Sequence, residues 1–115
     1  MCIRDRGKRC PAIDGILEEG AEIMKEAKDD TVRDAGMLAA AQAVEHYEIS
    51  RYGTLKAWAE KLGMTDAVGL LDETLQEEKS TDEKLTSLAD SEINLEAMEG
   101  DAEEESARQR KKRRT

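Results

Sequence analysis

Acidic residues interrupt two apolar stripes that helical spacing places on single faces. One stripe consists of Leu38, Ala41, Glu45, Glu48, Tyr52, Leu55, Ala59 and Leu62, and the other of Leu71, Leu75, Glu78, Asp82, Leu85 and Ala89. Because residues three, four and seven apart share a face of an α-helix, packing the two stripes together brings four carboxylates into one interior patch. Buried acids must be paired, protonated or bound to a cation, and a helical bundle that holds two metal ions is one known solution. The predicted metal ligands are Glu45, Glu48, Glu78 and Asp82.

The residue types indicate which metal to expect and which alternatives compete. Oxygen ligands favour iron or manganese over zinc. A solvated helix face is the alternative for each acid, since 39% of the chain is charged, and Asp82 is also placed to pair with Lys79. The single histidine, His46, adjoins Glu45 but lies ~100° around the helix, which favours packing or a hydrogen bond to a ligand over ligation. Tyr52 is either a structural aromatic or a hydrogen-bond donor to a site carboxylate.

Composition predicts an all-α protein of one small domain. The chain has 115 residues, a hydrophobic content of 38%, one proline and no phenylalanine, so its core is expected to be thin and aliphatic. The abundance of Ala, Leu, Glu, Lys and Met favours helix over strand. No apolar run approaches the ~20 residues that cross a bilayer, and no signal-peptide core follows the basic start, so a soluble, cytoplasmic protein is expected.

Capping residues divide the chain into a short helix followed by a long antiparallel hairpin. Pro11 suits the first position of a helix predicted over about 11–28. A polar cluster at residues 29–31 caps a long helix that runs to about Leu62, where Gly63 suits the left-handed position after the helix end. Thr65 or Asp66 is then expected to cap a third helix that continues to about Ala89.

The hairpin register places the two acidic patches at one level. If the turn centres on Gly63, opposing residues have numbers that sum to about 126, which sets Glu48 against Glu78 and Glu45 against Thr81. A shift of one or two residues moves the match by only a few ångströms, because a helix rises ~1.5 Å per residue. Like charges this close raise one another's pKa values, and a cation relieves the repulsion.

Charge is unevenly distributed along the chain. The net charge is −9, yet residues 11–107 carry 26 acidic and only 8 basic residues, and both ends are basic. An acidic body argues against nucleic acid as a partner, because any such contact would depend on the termini alone. Cys2 and Cys10 lack the spacing of a metal site, and no role is predicted for them. No phosphate-binding loop or nucleophile elbow is present.

Several separate runs resemble the ferritin-like YciE/YciF family. They are 44–49 (VEHYEI), 52–54 (YGT), 70–75 (LLDETL), 77–79 (EEK) and 82–85 (DEKL), preceded by 10–20 and 32–36 (VRDAG). The resemblance covers about residues 7–97. It implies a ferritin-like helical bundle with a di-iron or di-manganese carboxylate centre, two ions per complete bundle, and a ferroxidase-type activity linked to stress responses.

The chain departs from that family in two ways. Members carry an additional N-terminal helical hairpin, so the chain resembles the C-terminal half of the domain and is expected to be truncated. The Glu-x-x-His pattern of many di-iron bundles reads 78–81 (EKST) here, without histidine. Asp82 is the candidate for the vacant position, and a site made only of carboxylates is the alternative.

These observations define three segments and two functional classes. Residues 1–6 are expected to be a non-native leader, 7–98 a partial ferritin-like domain, and 99–115 a disordered acidic-then-basic tail. The first functional class is a ferritin-like oxidoreductase that binds iron, or manganese, and whose activity truncation impairs. The second is a non-catalytic helical module that dimerises through its exposed apolar stripe. The expected partner is a second copy of the chain or the missing N-terminal hairpin.

Overall fold

The computed structural model describes residues 7–114, and within that range the regular structure is entirely helical, as composition predicts. The elements are α1 (Pro11–Glu26), α2 (Asp30–Lys61), α3 (Thr65–Leu88), a π-helical turn (Ala89–Ile93) and α4 (Asn94–Arg113). None of these helices combines the length and apolar character needed to cross a membrane. The expected leader at residues 1–6 lies outside the described range.

Polar groups at residues 29–33 separate α1 from α2. The Asp29 carboxylate accepts hydrogen bonds from the backbone N–H of Thr31 at 2.8 Å and from its hydroxyl at 2.9 Å, so Asp29 caps α2 as predicted. Arg33 reaches back across the connection and donates to the carbonyl oxygens of Met24 and Ala27 at 3.1 and 2.9 Å. These bonds fix the angle at which α1 turns back along α2.

Gly63 closes the α2–α3 hairpin. Its φ of +68° is the left-handed conformation predicted for this position. The Gly63 N–H bonds to Glu60 O at 3.2 Å and the Met64 N–H to Ala59 O at 2.9 Å, which satisfies the last carbonyls of α2. The predicted cap at Thr65 or Asp66 is wrong, because the turn is so short that α3 already begins at Thr65.

Polar pairs show the register of α2 against α3. Lys56 Nζ lies 2.9 Å from the Asp72 carboxylate, and the Gln42 side-chain amide donates to the Thr86 hydroxyl at 2.7 Å. The residue numbers in each pair sum to 128, so the hairpin centre lies one residue beyond Gly63. That displacement is within the error that the predicted register tolerates.

Small residues allow α1 to pack closely on the opposite flank of α2. Gly20 is buried, and a Cβ built on it would lie 3.1 Å from the Ala40 Cβ. A Cβ on Gly36 would overlap the Ile23 side chain. Among the described elements, α1 contacts only α2. Helix α2 is therefore the central element of the bundle, with α1 and α3 on different sides.

The structure differs from the expected disordered tail at residues 99–115, since α4 continues to Arg113. Ala, Glu, Gln, Lys and Arg dominate this segment and are strong helix formers. Arg108 pairs with Glu104 at 3.4 Å across one turn, and acidic residues precede basic ones, as the helix dipole favours. The disordered tail was predicted because the segment lacks an apolar stripe, but helix propensity forms a helix without one.

A widened turn connects α3 to α4 without a break in the helical path. The backbone at Leu88, Ala89 and Asn94 remains right-handed helical, and the Asn94 N–H bonds to Ala89 O, five residues back. Beyond the turn, Gly100 comes close to the start of α2, where a Cβ would lie 2.5 Å from the Asp29 carboxylate. The first part of α4 therefore packs on α2, whereas almost all of its later side chains are exposed.

The bundle is open, and its apolar core is small. Only Ala59, Leu75 and Ala89 form a buried hydrophobic core among the described residues. The radius of gyration is 20.3 Å and the dimensions are 73 × 30 × 22 Å, whereas a compact chain of this length has a radius near ~13 Å. Large exposed apolar side chains are Leu17, Met24, Val32, Met37, Leu55, Trp58, Leu62, Met64, Leu70, Leu88, Leu95 and Met98. Much apolar surface therefore lacks a covering layer.

Candidate metal centre

Three glutamates from two helices converge where α2 crosses α3. Glu45 and Glu48 lie one turn apart on α2, and Glu78 lies opposite them on α3. Each offers a carboxylate oxygen within 4.8 Å of the other two, and all three residues are half-buried. We call this group the carboxylate triad. The structure thus brings together three of the four predicted ligands, and ligation itself remains a prediction.

Asp82, the fourth predicted ligand, lies outside the triad. Its carboxylate is 2.9 Å from His46 Nε2 and accepts a longer hydrogen bond of 3.4 Å from the Gln42 amide. The predicted pair with Lys79 does not form. The reason is geometric, because four residues rotate Asp82 ~40° beyond Glu78, whereas three residues rotate Glu48 ~60° the other way from Glu45. Asp82 therefore faces the flank of α2 that carries Gln42 and His46.

His46 and Tyr52 do not contribute to the triad in this structure. His46 anchors Asp82 across the hairpin, in accord with the expectation of a hydrogen-bonding or packing role. Tyr52 is half-buried in a groove that also contacts Glu48. Its hydroxyl makes no hydrogen bond to a carboxylate within residues 7–114, so Tyr52 is a structural aromatic here.

Burial and the proximity of other carboxylates disfavour the ionised forms of two triad residues, Glu48 and Glu78. The adjacent Glu45 carboxylate favours a shared proton, and together with burial it raises the pKa of Glu78. Burial and then the Glu78 carboxyl raise the pKa of Glu48. One oxygen of Glu45, Oε2, is buried without a hydrogen-bond partner. A proton or a cation would relieve both the repulsion and the unsatisfied oxygen.

Sequence reasoning missed a second polar cluster beside the triad. Cys10 Sγ lies 3.1 Å from the Tyr47 hydroxyl. Arg51 Nε donates to the same hydroxyl at 3.3 Å, and its guanidinium lies 5.3 Å from the Tyr47 ring centroid. Since the hydroxyl accepts from Arg51, it can donate to the thiol sulfur. The Tyr47 hydrogen bond, followed by a backbone N–H at Ile13, lowers the pKa of Cys10.

The register of α1 against α2 is the signal that would have located this cluster. The connection between the helices is short, so opposing residues have numbers with a nearly constant sum, which is 60 for Gly20 with Ala40 and 59 for Ile23 with Gly36. The numbers of Cys10 and Tyr47 sum to 57, so these two residues lie at nearly the same level. The register arithmetic was applied only to the second hairpin, which is why Cys10 received no role.

Comparison with known proteins gives consistent matches. The family profile described as Domain of unknown function (DUF892) matches residues 2–98. Protein YciF of Escherichia coli K12 is 52% identical over 89 residues, which make up 77% of this chain and 54% of that protein.

Two solved structures share the fold. The crystal structure of the E. coli stress protein YciF matches with a TM-score of 0.72 and 50% identity, covering 77% of this chain and 56% of that one. YcfI from Rhodopseudomonas palustris, suggested to be a structural protein, matches with a TM-score of 0.68 and 56% identity, covering 70% and 51% respectively. The chain spans about half the length of the relatives that it matches. The profile match, the sequence identity and the shared fold together show that this chain belongs to the YciE/YciF family, DUF892.

Proposed function

We propose that this chain is a ferritin-like carboxylate protein that binds iron, with manganese as the alternative metal, and takes part in ferrous iron oxidation. The carboxylate triad is the observation that carries the proposal. Three half-buried carboxylates with oxygens within 4.8 Å of one another form a donor set of hard oxygen ligands, which suits iron and manganese better than zinc.

The electrostatics of the triad fit a cation. Glu45 Oε2 is buried and has no hydrogen-bond donor among the described residues, and a bound cation would satisfy it. Burial and the neighbouring carboxylates raise the pKa values of Glu48 and Glu78, so ionisation is less favourable there than in a free glutamate. Metal binding would displace the protons, so affinity is expected to increase with pH.

Each neighbouring side chain has a role in the proposed chemistry. Glu45, Glu48 and Glu78 would hold the ion, and their negative charge would favour the Fe(III) product over the Fe(II) substrate. Bound iron would supply the redox chemistry, in which two Fe(II) ions each give up one electron and two protons are taken up, so that dioxygen is reduced to hydrogen peroxide or hydrogen peroxide to water. The contact between His46 and Asp82 braces α2 against α3 beside the triad, and Leu75, which is buried one turn before Glu78 on α3, limits the access of water from that side.

The triad is an incomplete ligand set for a ferritin-like centre of two ions. Such centres draw ligands from four helices, and α2 and α3 contribute two. The remaining ligands would come from whatever covers the side of α2 and α3 that carries the triad, either a second copy or the helical hairpin of longer family members. A role in stress responses, by similarity to the stress protein YciF, and a cytoplasmic location are parts of the same proposal.

Anaerobic titration with Fe(II), followed by admission of oxygen, tests the proposal. The test variant carries Glu45→Gln, Glu48→Gln and Glu78→Gln, and we call it the triple-Gln variant. Its control carries Glu73→Gln, Glu77→Gln and Glu83→Gln, which removes the same charge from exposed positions of α3. Bound iron is measured by metal analysis and residual Fe(II) by a colorimetric chelator.

The expected result is saturable Fe(II) binding and oxygen-dependent Fe(II) loss by the wild type and the control, but not by the triple-Gln variant. Equal binding by the two variants would show that iron adheres to the acidic surface in general. Binding without oxidation would restrict the proposal to a metal-binding protein.

A second function, a non-catalytic helical interaction module, has an observation of its own. Trp58, Leu62, Leu70 and Met98 are each more than half exposed, at 62, 74, 67 and 71%, and apolar surface of this kind marks contact with another chain. Association that is unaffected by metal and by the triple-Gln substitutions would favour this function.

A further inference from the structure

Basic residues are concentrated at the end of α4. Six of the seven residues from 108 to 114 are lysine or arginine, and all seven are exposed. We call residues 108–114 the basic end. Because successive residues of an α-helix point ~100° apart, the six charges are spread round the whole circumference of the helix instead of forming one stripe. The basic end is therefore positive on every side.

The acidic residues of α4 compensate only the start of the basic end. They lie at position 101 and at positions 103–105. Glu104 pairs with Arg108 across one turn at 3.4 Å, whereas Glu105 meets the uncharged Gln109. Ion pairs along a helix join residues three or four apart, and no acidic residue precedes any of residues 110–114 by that distance. The excess of positive charge is therefore greatest over residues 110–114.

Helix α4 carries the basic end away from the acidic part of the molecule. Gly100 lies against Asp29 at the start of α2, and the helix continues from there to Arg113. Arg110 and Arg113 lie ~15 and ~20 Å beyond Gly100, since a helix rises ~1.5 Å per residue. Charges in water are screened over ~8 Å at physiological ionic strength. The acids of α1, α2 and α3 therefore repel a polyanion at the basic end only weakly under those conditions.

We propose that the basic end of α4 binds the phosphate backbone of double-stranded nucleic acid without reading its sequence. Duplex DNA carries one negative charge per ~1.7 Å of its axis, and its major groove, ~12 Å wide, admits an α-helix between two phosphate backbones. That setting suits a helix that is positive on every side. The family profile ends at residue 98, so the contact lies beyond the matched domain and does not involve the carboxylate triad.

The composition of the same segment argues against two other polyanions. A helix that lies on an anionic membrane needs an apolar face, and the apolar residues of 101–114 are Ala102 and Ala107 alone. Single-stranded nucleic acid binds largely by stacking its bases on aromatic side chains, and α4 contains no aromatic residue. The backbone of a duplex requires neither feature.

Fluorescence anisotropy of a labelled DNA duplex of arbitrary sequence, titrated with the full chain in EDTA, tests the inference. EDTA keeps metal at the triad out of the measurement. The test variant, which we call the basic-end variant, carries Arg110→Gln, Arg113→Gln and Arg114→Gln. Glutamine is a strong helix former, so α4 should keep its length, and circular dichroism checks this.

A matched control removes the same charge from exposed positions of the other helices. It carries Lys25→Gln on α1, Lys61→Gln on α2 and Lys84→Gln on α3. The control and the basic-end variant have the same net charge. Any difference between them therefore reports where the positive charge lies.

We expect the wild type and the control to bind the duplex with a strong dependence on salt. If residues 110–114 each displace one counterion, the slope of log K against log salt is about −4.5, which weakens binding ~500-fold between 50 and 200 mM salt. The basic-end variant should lose about three-fifths of that slope and bind about tenfold or more weakly at the lower salt concentration. Absence of binding by the wild type, or equal losses in the two variants, would overturn the inference.

Three further measurements compare other partners of the basic end. Vesicles of phosphatidylcholine and phosphatidylserine, and a single strand as long as the duplex, replace the duplex as probes. Tighter binding to either would overturn the choice of a duplex. Sedimentation velocity without DNA detects contact between the basic end and the acidic surface of another copy. A dimer formed by the wild type and lost in the basic-end variant would assign the basic end to that contact and overturn the inference.

Discussion

The substitution Glu78→Gln should stabilise the metal-free protein and weaken its response to metal. Glu78 takes part in two of the three charge pairs in the triad, whose oxygens lie within 4.8 Å of one another. At that separation each pair costs roughly 1 kcal/mol at the dielectric constant of water and roughly 3.5 kcal/mol at an effective value of 20. Because the residues are half-buried, we take a value near the lower end. Removal of two pairs should then raise the free energy of unfolding by about 2 kcal/mol.

Metal should reverse the order of stability. A ligand at one hundred times its dissociation constant stabilises the folded state by about 2.7 kcal/mol, and the wild type should gain this amount. The variant has lost one ligand and should gain much less. The wild type would therefore become at least as stable as the variant in saturating Mn²⁺.

Urea denaturation followed by circular dichroism at about pH 8, with EDTA or Mn²⁺, measures both quantities. Dilute protein keeps the measurement on the monomer. Glu83→Gln is the matched control, because it removes one charge from an exposed position of the same helix. An equal gain from Glu83→Gln would mean that only net charge matters. Loss of stability from Glu78→Gln in EDTA would refute the argument that the triad is repulsive.

Three further predictions concern packing, pH and the thiol. Gly53→Ala should stabilise the folded chain by about 1 kcal/mol through helix propensity, because nothing lies within 4 Å of the added Cβ. Gly36→Ala should destabilise it, because the added Cβ overlaps the Ile23 side chain. Thermal melts of both variants test this contrast. The metal-free chain should lose stability as pH rises above about 4.5, because folding raises the pKa values of Glu48 and Glu78 above the ordinary value of 4.5. The folded state then binds more protons than the unfolded state, so removing protons destabilises it. Urea midpoints measured at several pH values should show this decline in the wild type and not in the triple-Gln variant. Tyr47→Phe should slow alkylation of Cys10 near neutral pH, because it removes the hydrogen bond that most lowers the pKa of this thiol. Peptide mass spectrometry measures the rate at Cys10 relative to that at Cys2, and an equal relative rate in the variant and the wild type would mean that the bond is unimportant.

Local signals predicted the helical framework well. Pro11, Asp29 and Gly63 mark helix ends through their own backbone and side-chain chemistry, and all three occupy the expected positions. The α4 helix was missed because the segment from Gly100 carries no apolar stripe. Charged residues can form a helix without one, through their helix propensity and through pairs such as Glu104–Arg108.

The candidate site was predicted less completely than the fold. The hairpin register located the level of the acidic patch, and the error of one residue in the hairpin centre did not disturb it. The side on which each acid faces its partner depends on tens of degrees of helix rotation, which spacing alone does not resolve. For that reason Glu45, Glu48 and Glu78 converge while Asp82 turns to His46.

The widened turn at Ala89–Ile93 determines what the end of the chain can reach. A π-helical turn holds one more residue than the α-helical turn it replaces, and π-bulges occur as single turns inside longer α-helices. Deletion of one residue there would therefore restore a regular helix and leave the residues beyond it facing as they do now. If the turn became a regular α-helix with every residue kept, everything beyond it would rotate by ~100°. Gly100 would then turn away from Asp29, which it now approaches closely, and a bulkier side chain would meet the capping carboxylate of α2. The widened turn thus sets the position of the far end of the molecule without involving the carboxylate triad.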